Sequence, residues 1–239
     1  MNKFQAIMIA ALGSVSALSA QSVDNISVST TFAFENSYVF RGAQLAEETF
    51  MPAIDFSADN VYFGVWGALP VTGAGDSEVD IYGGYGFELS EIVSLDVGGT
   101  YYAYPDSEDF ENDNTFEIYA GASFDVLLSP AVYVFYDFDL ENFTIEASAG
   151  YSYALTDSLS ADASVFAGWV DLGDAGSDFY ETESFDDYWY YGVSAALSYA
   201  LAENASLTGY VNYSGSNERQ MYSNDKSEVW YGVSVTTGF

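Results

Sequence analysis

The chain has 239 residues, 18% of them aromatic, and sets 36 acidic residues against only four basic ones, without a histidine or a cysteine. A formal net charge of −32 makes nucleic acid a poor partner, because almost no cation is available to neutralise phosphates. The lack of histidine removes the commonest general base and transition-metal ligand, and the lack of cysteine fits an exported protein that builds no disulfide framework.

The chain opens with Lys3, an apolar run from Ile7 to Leu18 and small residues from Ala17 to Ala20. This pattern predicts a cleaved signal peptide over residues 1–20, too short to span a bilayer. The remainder, 21–239, reads as one domain without linker or low-complexity segment. Strict alternation of apolar with small or polar residues predicts about twelve strands, near 26–40, 50–57, 61–69, 78–89, 92–104, 115–126, 131–140, 142–154, 158–170, 187–201, 204–214 and 228–239. In one of them Phe143, Ile145, Ala147, Ala149, Tyr151 and Tyr153 alternate with Thr144, Glu146, Ser148, Gly150 and Ser152. Short connections such as Leu89 to Glu91, Leu155 to Ser158 and Leu201 to Asn204 alternate with long acidic ones such as Pro105 to Asn114, Val170 to Asp187 and Gly215 to Ser227.

Alternation alone fits either a soluble sandwich or a barrel in a membrane. Strand length and loop order favour the barrel. The strands run to roughly 10–14 residues, enough to cross a bilayer at a tilt, whereas strands of soluble proteins average about 5–6. Tight turns on one rim and loops on the other are the signature of a meander barrel, and closure leaves no exposed edge. Aromatics near the long loops, among them Tyr38, Phe40, Tyr102, Trp169, Tyr188 to Tyr191 and Trp230, are expected to form an interfacial girdle. The expected fold is therefore all-β, a transmembrane antiparallel meander barrel in a bacterial outer membrane. Its last strand, with Tyr231, Val233 and Val235 on one face and an aromatic end at Phe239, resembles the segment that the barrel assembly machinery reads.

Ordered motifs in the N-terminal half add a family likeness. They are Ser37-Tyr-Val-Phe-Arg-Gly42, Pro52-Ala53 with Asp55, Tyr62 to Trp66, Glu78-Val-Asp-Ile-Tyr-Gly-Gly-Tyr85, Leu95 to Gly98, Tyr102 to Pro105 and Phe116 to Gly121. In this order they resemble the TorF-like family of putative outer-membrane porins, over roughly residues 30–155. The resemblance implies an outer-membrane barrel and suggests a pore, but fixes no substrate. The acidic loop 171–187 has no counterpart in it.

The alternation places Glu35, Arg41, Asp55, Asp80, Glu88, Asp96, Glu117, Asp125, Asp137, Asp139, Glu146 and Asp162 on the inward parity, as candidate pore-lining residues. Carboxylates in a pore attract cations and repel anions. Arg41 is expected to pair with such carboxylates. The functional expectation is a narrow, cation-preferring channel for small solutes, with a closed structural or adhesive barrel as the alternative. At about twelve strands, size decides between an open and a side-chain-filled interior in neither direction. A nucleophile–histidine centre is impossible without histidine. Glycosidase-like pairs, Asp137 with Asp139 or Glu117 with Asp125, are available, but same-face acids are the default of a polar lumen. No cofactor or metal is expected: the loop Asp106 to Asp113 lacks the glycine and helical flanks of a helix–loop–helix calcium site. Expected partners are outer-membrane lipid and lipopolysaccharide, with loose divalent bridging through acidic loops, together with the assembly machinery and small solutes or cations.

Overall fold

Where every second side chain is apolar and every other one small or polar, an antiparallel ladder sorts them to two faces. A computed structural model shows this sorting over residues 26–72, 75–107, 113–179, 185–218 and 226–239. The expected signal peptide lies outside the described residues, as do parts of the acidic loops 106–113 and 171–187.

The strands are β1 (Ile26–Glu35), β2 (Tyr38–Phe40), β3 (Ala43–Ala46), β4 (Thr49–Ala58), β5 (Val61–Pro70), β6 (Glu78–Ser90), β7 (Val93–Ala103), β8 (Thr115–Phe124), β9 (Ala131–Asp137), β10 (Phe143–Ala154), β11 (Leu159–Asp171), β12 (Asp187–Ala202), β13 (Ala205–Ser216) and β14 (Ser227–Gly238). One short helix, α1 (Asp174–Phe179), follows β11. Each strand from β4 to β13 pairs with its successor, and β1 closes the ring between β14 and β4. The result is a closed antiparallel barrel of twelve strands with no free edge, as the alternation predicts.

The outward face is apolar. Phe32, Ile118, Val165, Val193, Leu197, Val211 and Val233 all point away from the interior and are exposed. A water-soluble protein rarely presents so continuous an apolar surface, whereas lipid requires one. Tyr231 and Phe239 are exposed on this same wall, and Val233 shares it. The inward face carries hydroxyls and carboxylates. Across β1 and β14 Thr31 and Thr236 bond through their hydroxyls at 3.0 Å, and across β12 and β13 Ser198 and Thr208 do so at 2.9 Å.

The first predicted strand, 26–40, does not stay in the wall. The β1–β14 ladder stops where Asn36 bonds Tyr231: its N–H donates to the Tyr231 carbonyl, and its side-chain oxygen accepts the Tyr231 N–H. Beyond it the chain turns inward and pairs with itself, β2 on β3, forming a hairpin inside the barrel. Phe40 pairs with Ala43, so the turn is the dipeptide Arg41-Gly42, with φ of 46° and 82°. Positive φ at both central residues is the twist that two-residue hairpins prefer. The aromatic girdle is accordingly only half as predicted. Trp169, Trp189, Tyr191, Tyr213 and Tyr231 sit on the outer face, while Tyr38, Tyr188, Tyr190 and Trp230 are buried inside.

Candidate functional site

The interior is built from the infolded hairpin and the inward side chains of the wall. Hairpin residues Val39 and Ala43 pack with Val170, Leu172, Tyr188, Tyr190 and Trp230 of the β11–β14 side. Tyr38 and Ala46 pack with Met51, Trp66, Ala68 and Tyr82 of the β4–β6 side. At the hairpin base Gln44 donates to the Ser37 hydroxyl at 2.8 Å and to Glu228 at 3.4 Å. Its tip reaches the wall opposite. A Cβ on Gly42 would lie 2.6 Å from the Cβ of Tyr190, so only glycine lets the tip approach β12 this closely.

Arg41 carries the only positive charge that the described residues place in the interior; Lys226, the other described cation, is exposed and bonds the Asn217 carbonyl. The Arg41 guanidinium makes two bonds to Glu117 of β8, at 2.6 and 2.9 Å. It also lies 4.3 Å from the Phe135 ring centroid and 4.7 Å from that of Phe40. Two parallel bonds and two ring faces fix a planar guanidinium far better than they would an ammonium.

The other interior carboxylates are held mainly by tyrosines. Asp96 accepts from Tyr62 at 2.9 and 3.0 Å and from Tyr133 at 3.3 Å. Glu146 accepts from Tyr190 at 2.6 Å, Glu117 from Tyr102 at 3.1 Å, and Asp55 from Tyr82. Glu35 accepts from the Trp230 ring N–H at 3.1 Å and from Tyr210. These rings are placed by glycines directly across the ladder. Tyr82 pairs with Gly64, Tyr62 with Gly84, Tyr119 with Gly98, Tyr133 with Gly121, Tyr190 with Gly168 and Tyr210 with Gly232. At each of these glycines a Cβ would fall within 2.2–2.5 Å of the partner's ring or hydroxyl. Each tyrosine therefore lies along its neighbouring strand; five of the six carry the hydroxyl sideways to a carboxylate, and Tyr119 meets the Tyr62 hydroxyl instead.

Of the predicted inward residues, Glu35, Asp55, Asp80, Asp96, Glu117, Glu146 and Asp162 do face the interior from the wall. Glu88 shares that parity but is exposed at the short-turn end of β6. Three others need correction. Arg41 is not in the wall but at the hairpin tip. Asp125 lies past the end of β8 in the turn to β9, where its backbone N–H meets the Ile92 carbonyl. Asp139 lies in the 138–142 turn and accepts the Phe116 N–H at 2.8 Å. Asp137, by contrast, does face the interior: it is buried at the end of β9 opposite Glu117, and it also braces that turn by accepting the N–H groups of Asp139 and Leu140. Asp125 and Asp139 lie past the ends of β8 and β9, where side chains no longer follow the pleat.

Sequence reasoning missed Glu78, the tyrosine–glycine pairs and the hairpin. Glu78 shares the parity of Asp80 and was legible on that ground. An Arg-Gly dipeptide before Ala43–Ala46 is a turn signal of ordinary strength. The cross-strand pairs require the register, which sequence alone does not give.

A closed antiparallel barrel with a lipid-suited outer face, an acidic interior and an infolded hairpin is the outer-membrane type of fold. The chain belongs to the family described as "bacterial protein of unknown function (Gcw_chp)", which matches residues 19–236. No curated protein matches it by sequence. Among solved structures it is similar to the NanC porin, at 12% identity and a TM-score of 0.54, over 88% of this chain and 98% of that one. It is likewise similar to the KdgM porin, at 12% identity and a TM-score of 0.55, over 89% and 99%. A COG4313 outer-membrane channel from Pseudomonas putida F1 matches at 9% identity and a TM-score of 0.51, over 95% and 100%. At these identities the likeness concerns the fold.

Proposed function

We propose that the protein is a passive channel of the bacterial outer membrane for small solutes, with a cation-preferring interior narrowed by the β2–β3 hairpin. The observation that carries this reading is the charge inside the barrel. Glu35, Asp55, Glu78, Asp80, Asp96, Glu117, Glu146 and Asp162 face one interior, against Arg41 alone among the described residues. In a confined, low-dielectric space such an excess raises the local concentration of cations and excludes anions. The names porin and channel carried by the structural relatives, and the likeness to TorF-like porins, support a conducting role. One solved relative is described as KdgM porin in complex with disordered oligogalacturonate. An anionic sugar of that kind would be repelled by the interior of this barrel, so its solutes are neutral or cationic.

A specific observation favours the second reading, a closed structural barrel: Ser37, Tyr38, Val39, Ala43 and Ala46 of the infolded segment are buried between opposite walls. Single-channel current across a planar bilayer under a salt gradient separates the two. Discrete steps with a cation-favouring reversal potential support the channel. An anion-favouring potential would overturn the electrostatic argument. Silence from protein shown to be folded by its heat-shifted gel mobility would leave the closed barrel.

A further inference from the structure

Two of the interior acids touch each other. Glu78 and Asp80 are adjacent on the inward parity of β6, 3% and 7% exposed, and their side chains lie within hydrogen-bond reach of one another. Every other interior carboxylate named above is met by a phenol, an indole, a hydroxyl or the guanidinium. Glu78 receives one weak donor, the Tyr38 hydroxyl at 3.3 Å. Asp80 Oδ1 is buried and has no hydrogen-bond partner among the described residues. Two carboxylates in contact, with an oxygen left over and little exposure to water, must either take up protons or hold a cation between them.

The described residues do not supply it. Arg41 is committed to Glu117 through both terminal nitrogens, which makes that ion pair neutral as a unit. One shared proton would still leave a whole negative charge buried without a partner. A divalent cation would balance both carboxylates.

We infer that Glu78 and Asp80 bind a divalent metal cation of the hard, oxygen-seeking kind between β6 and the infolded hairpin, with the Tyr38 hydroxyl beside it. No third carboxylate joins them as a metal-binding group among the described residues. The site therefore suits an ion that takes one or two carboxylates and keeps part of its water shell, as Mg²⁺ does, rather than one that needs a cage of six to eight protein oxygens. The ion would fasten the hairpin stem at β6, as the ion pair fastens its tip at β8. The inference is independent of whether the barrel conducts.

The test uses the full barrel, refolded in detergent, stripped with EDTA and titrated with Mn²⁺ while free Mn²⁺ is read by electron paramagnetic resonance. Wild type is expected to take up one more tightly held ion per barrel than Asp80→Asn, and Mg²⁺ should displace it. Asp171→Asn, at the exposed end of β11, controls for loose binding by loop acids and should match wild type. In EDTA, Asp80→Asn should melt at a higher temperature than wild type, because it removes an unpaired charge, and Mg²⁺ should raise only wild type. Glu78→Gln serves as a second variant, with heat-shifted mobility certifying that each protein is folded. Equal tight uptake by wild type and both variants would overturn the site. So would a wild-type melting temperature that follows pH but is indifferent to Mg²⁺, the behaviour of a shared proton.

Discussion

Arg41 and Glu117 lie 76 residues apart in sequence and meet through two charge-assisted bonds across the interior of the barrel. The arginine occupies a left-handed conformation, φ 46°, that costs a non-glycine residue about 1–2 kcal/mol. A side chain held in that conformation at a hairpin tip, and met there by a carboxylate and two rings, indicates that the contact outweighs the local strain.

Arg41→Ala should therefore destabilise the barrel by about 3–5 kcal/mol, because it strands the buried Glu117 carboxylate. Arg41→Ala with Glu117→Ala together should cost less than Arg41→Ala alone, since no charge is left unpaired. Urea unfolding in detergent micelles measures both. If the proposed channel is correct, Arg41→Ala should also raise single-channel conductance by freeing the hairpin tip. Unchanged conductance from a destabilised but folded variant would show that the tip does not limit flow.

Cation preference should depend on position along the interior. Asp55 and Asp96 face it from the wall near the short-turn ends of β4 and β7, as Asp162 does in β11. Asp55→Asn with Asp96→Asn should move the reversal potential toward neutrality under a salt gradient, while Asp139→Asn, in the turn, should leave it unchanged. Equal effects from all three would place the selecting charge on the loops instead.

The tyrosine–glycine pairs yield a packing prediction. Gly168→Ala would drive a Cβ to 2.3 Å from the Tyr190 ring, pushing aside the hydroxyl that binds Glu146. Gly64→Ala would do the same to Tyr82 and its bond to Asp55. Each should cost about 1–3 kcal/mol by overpacking. Gly209 has nothing within 4 Å of the position a Cβ would take, so Gly209→Ala should be neutral or slightly stabilising. A loss at Gly209 equal to those at Gly168 and Gly64 would show that displaced tyrosines are not the cause.

What was legible in the sequence follows from what a period of two can carry. The alternation in Phe143 to Ala154 and Leu159 to Asp171 sorted outward from inward side chains, because the pleat itself enforces it. The same rule failed at Tyr38, Phe40 and Arg41. The alternation runs on unbroken from Glu35, and nothing local marks Asn36 as the place where the ladder to β14 ends. Asp125 and Asp139 were misplaced for the same reason, one residue or two beyond a strand. The acid–phenol network was out of reach for another reason. Tyr62 and Asp96, or Tyr190 and Glu146, are brought together by register across strands, a relation that composition and parity leave unspecified.

The two faces of the wall should respond oppositely to one kind of substitution. Ile118 and Val193 are 42% and 47% exposed on the outer face, within long strands of the closed barrel. If that face lies in hydrocarbon, Ile118→Arg or Val193→Arg places a charge against lipid and should cost about 2–4 kcal/mol at mid-depth, falling toward the rims. Ser164 sits one residue before the outward Val165, on the inward parity of β11 with Asp162. Ser164→Arg would meet an interior rich in carboxylates and should cost less than either outer substitution. Equilibrium folding into lipid vesicles, followed by tryptophan fluorescence, gives the three values. A soluble barrel would reverse the order: the outer arginines would be harmless in water, and the interior one would be the most disruptive.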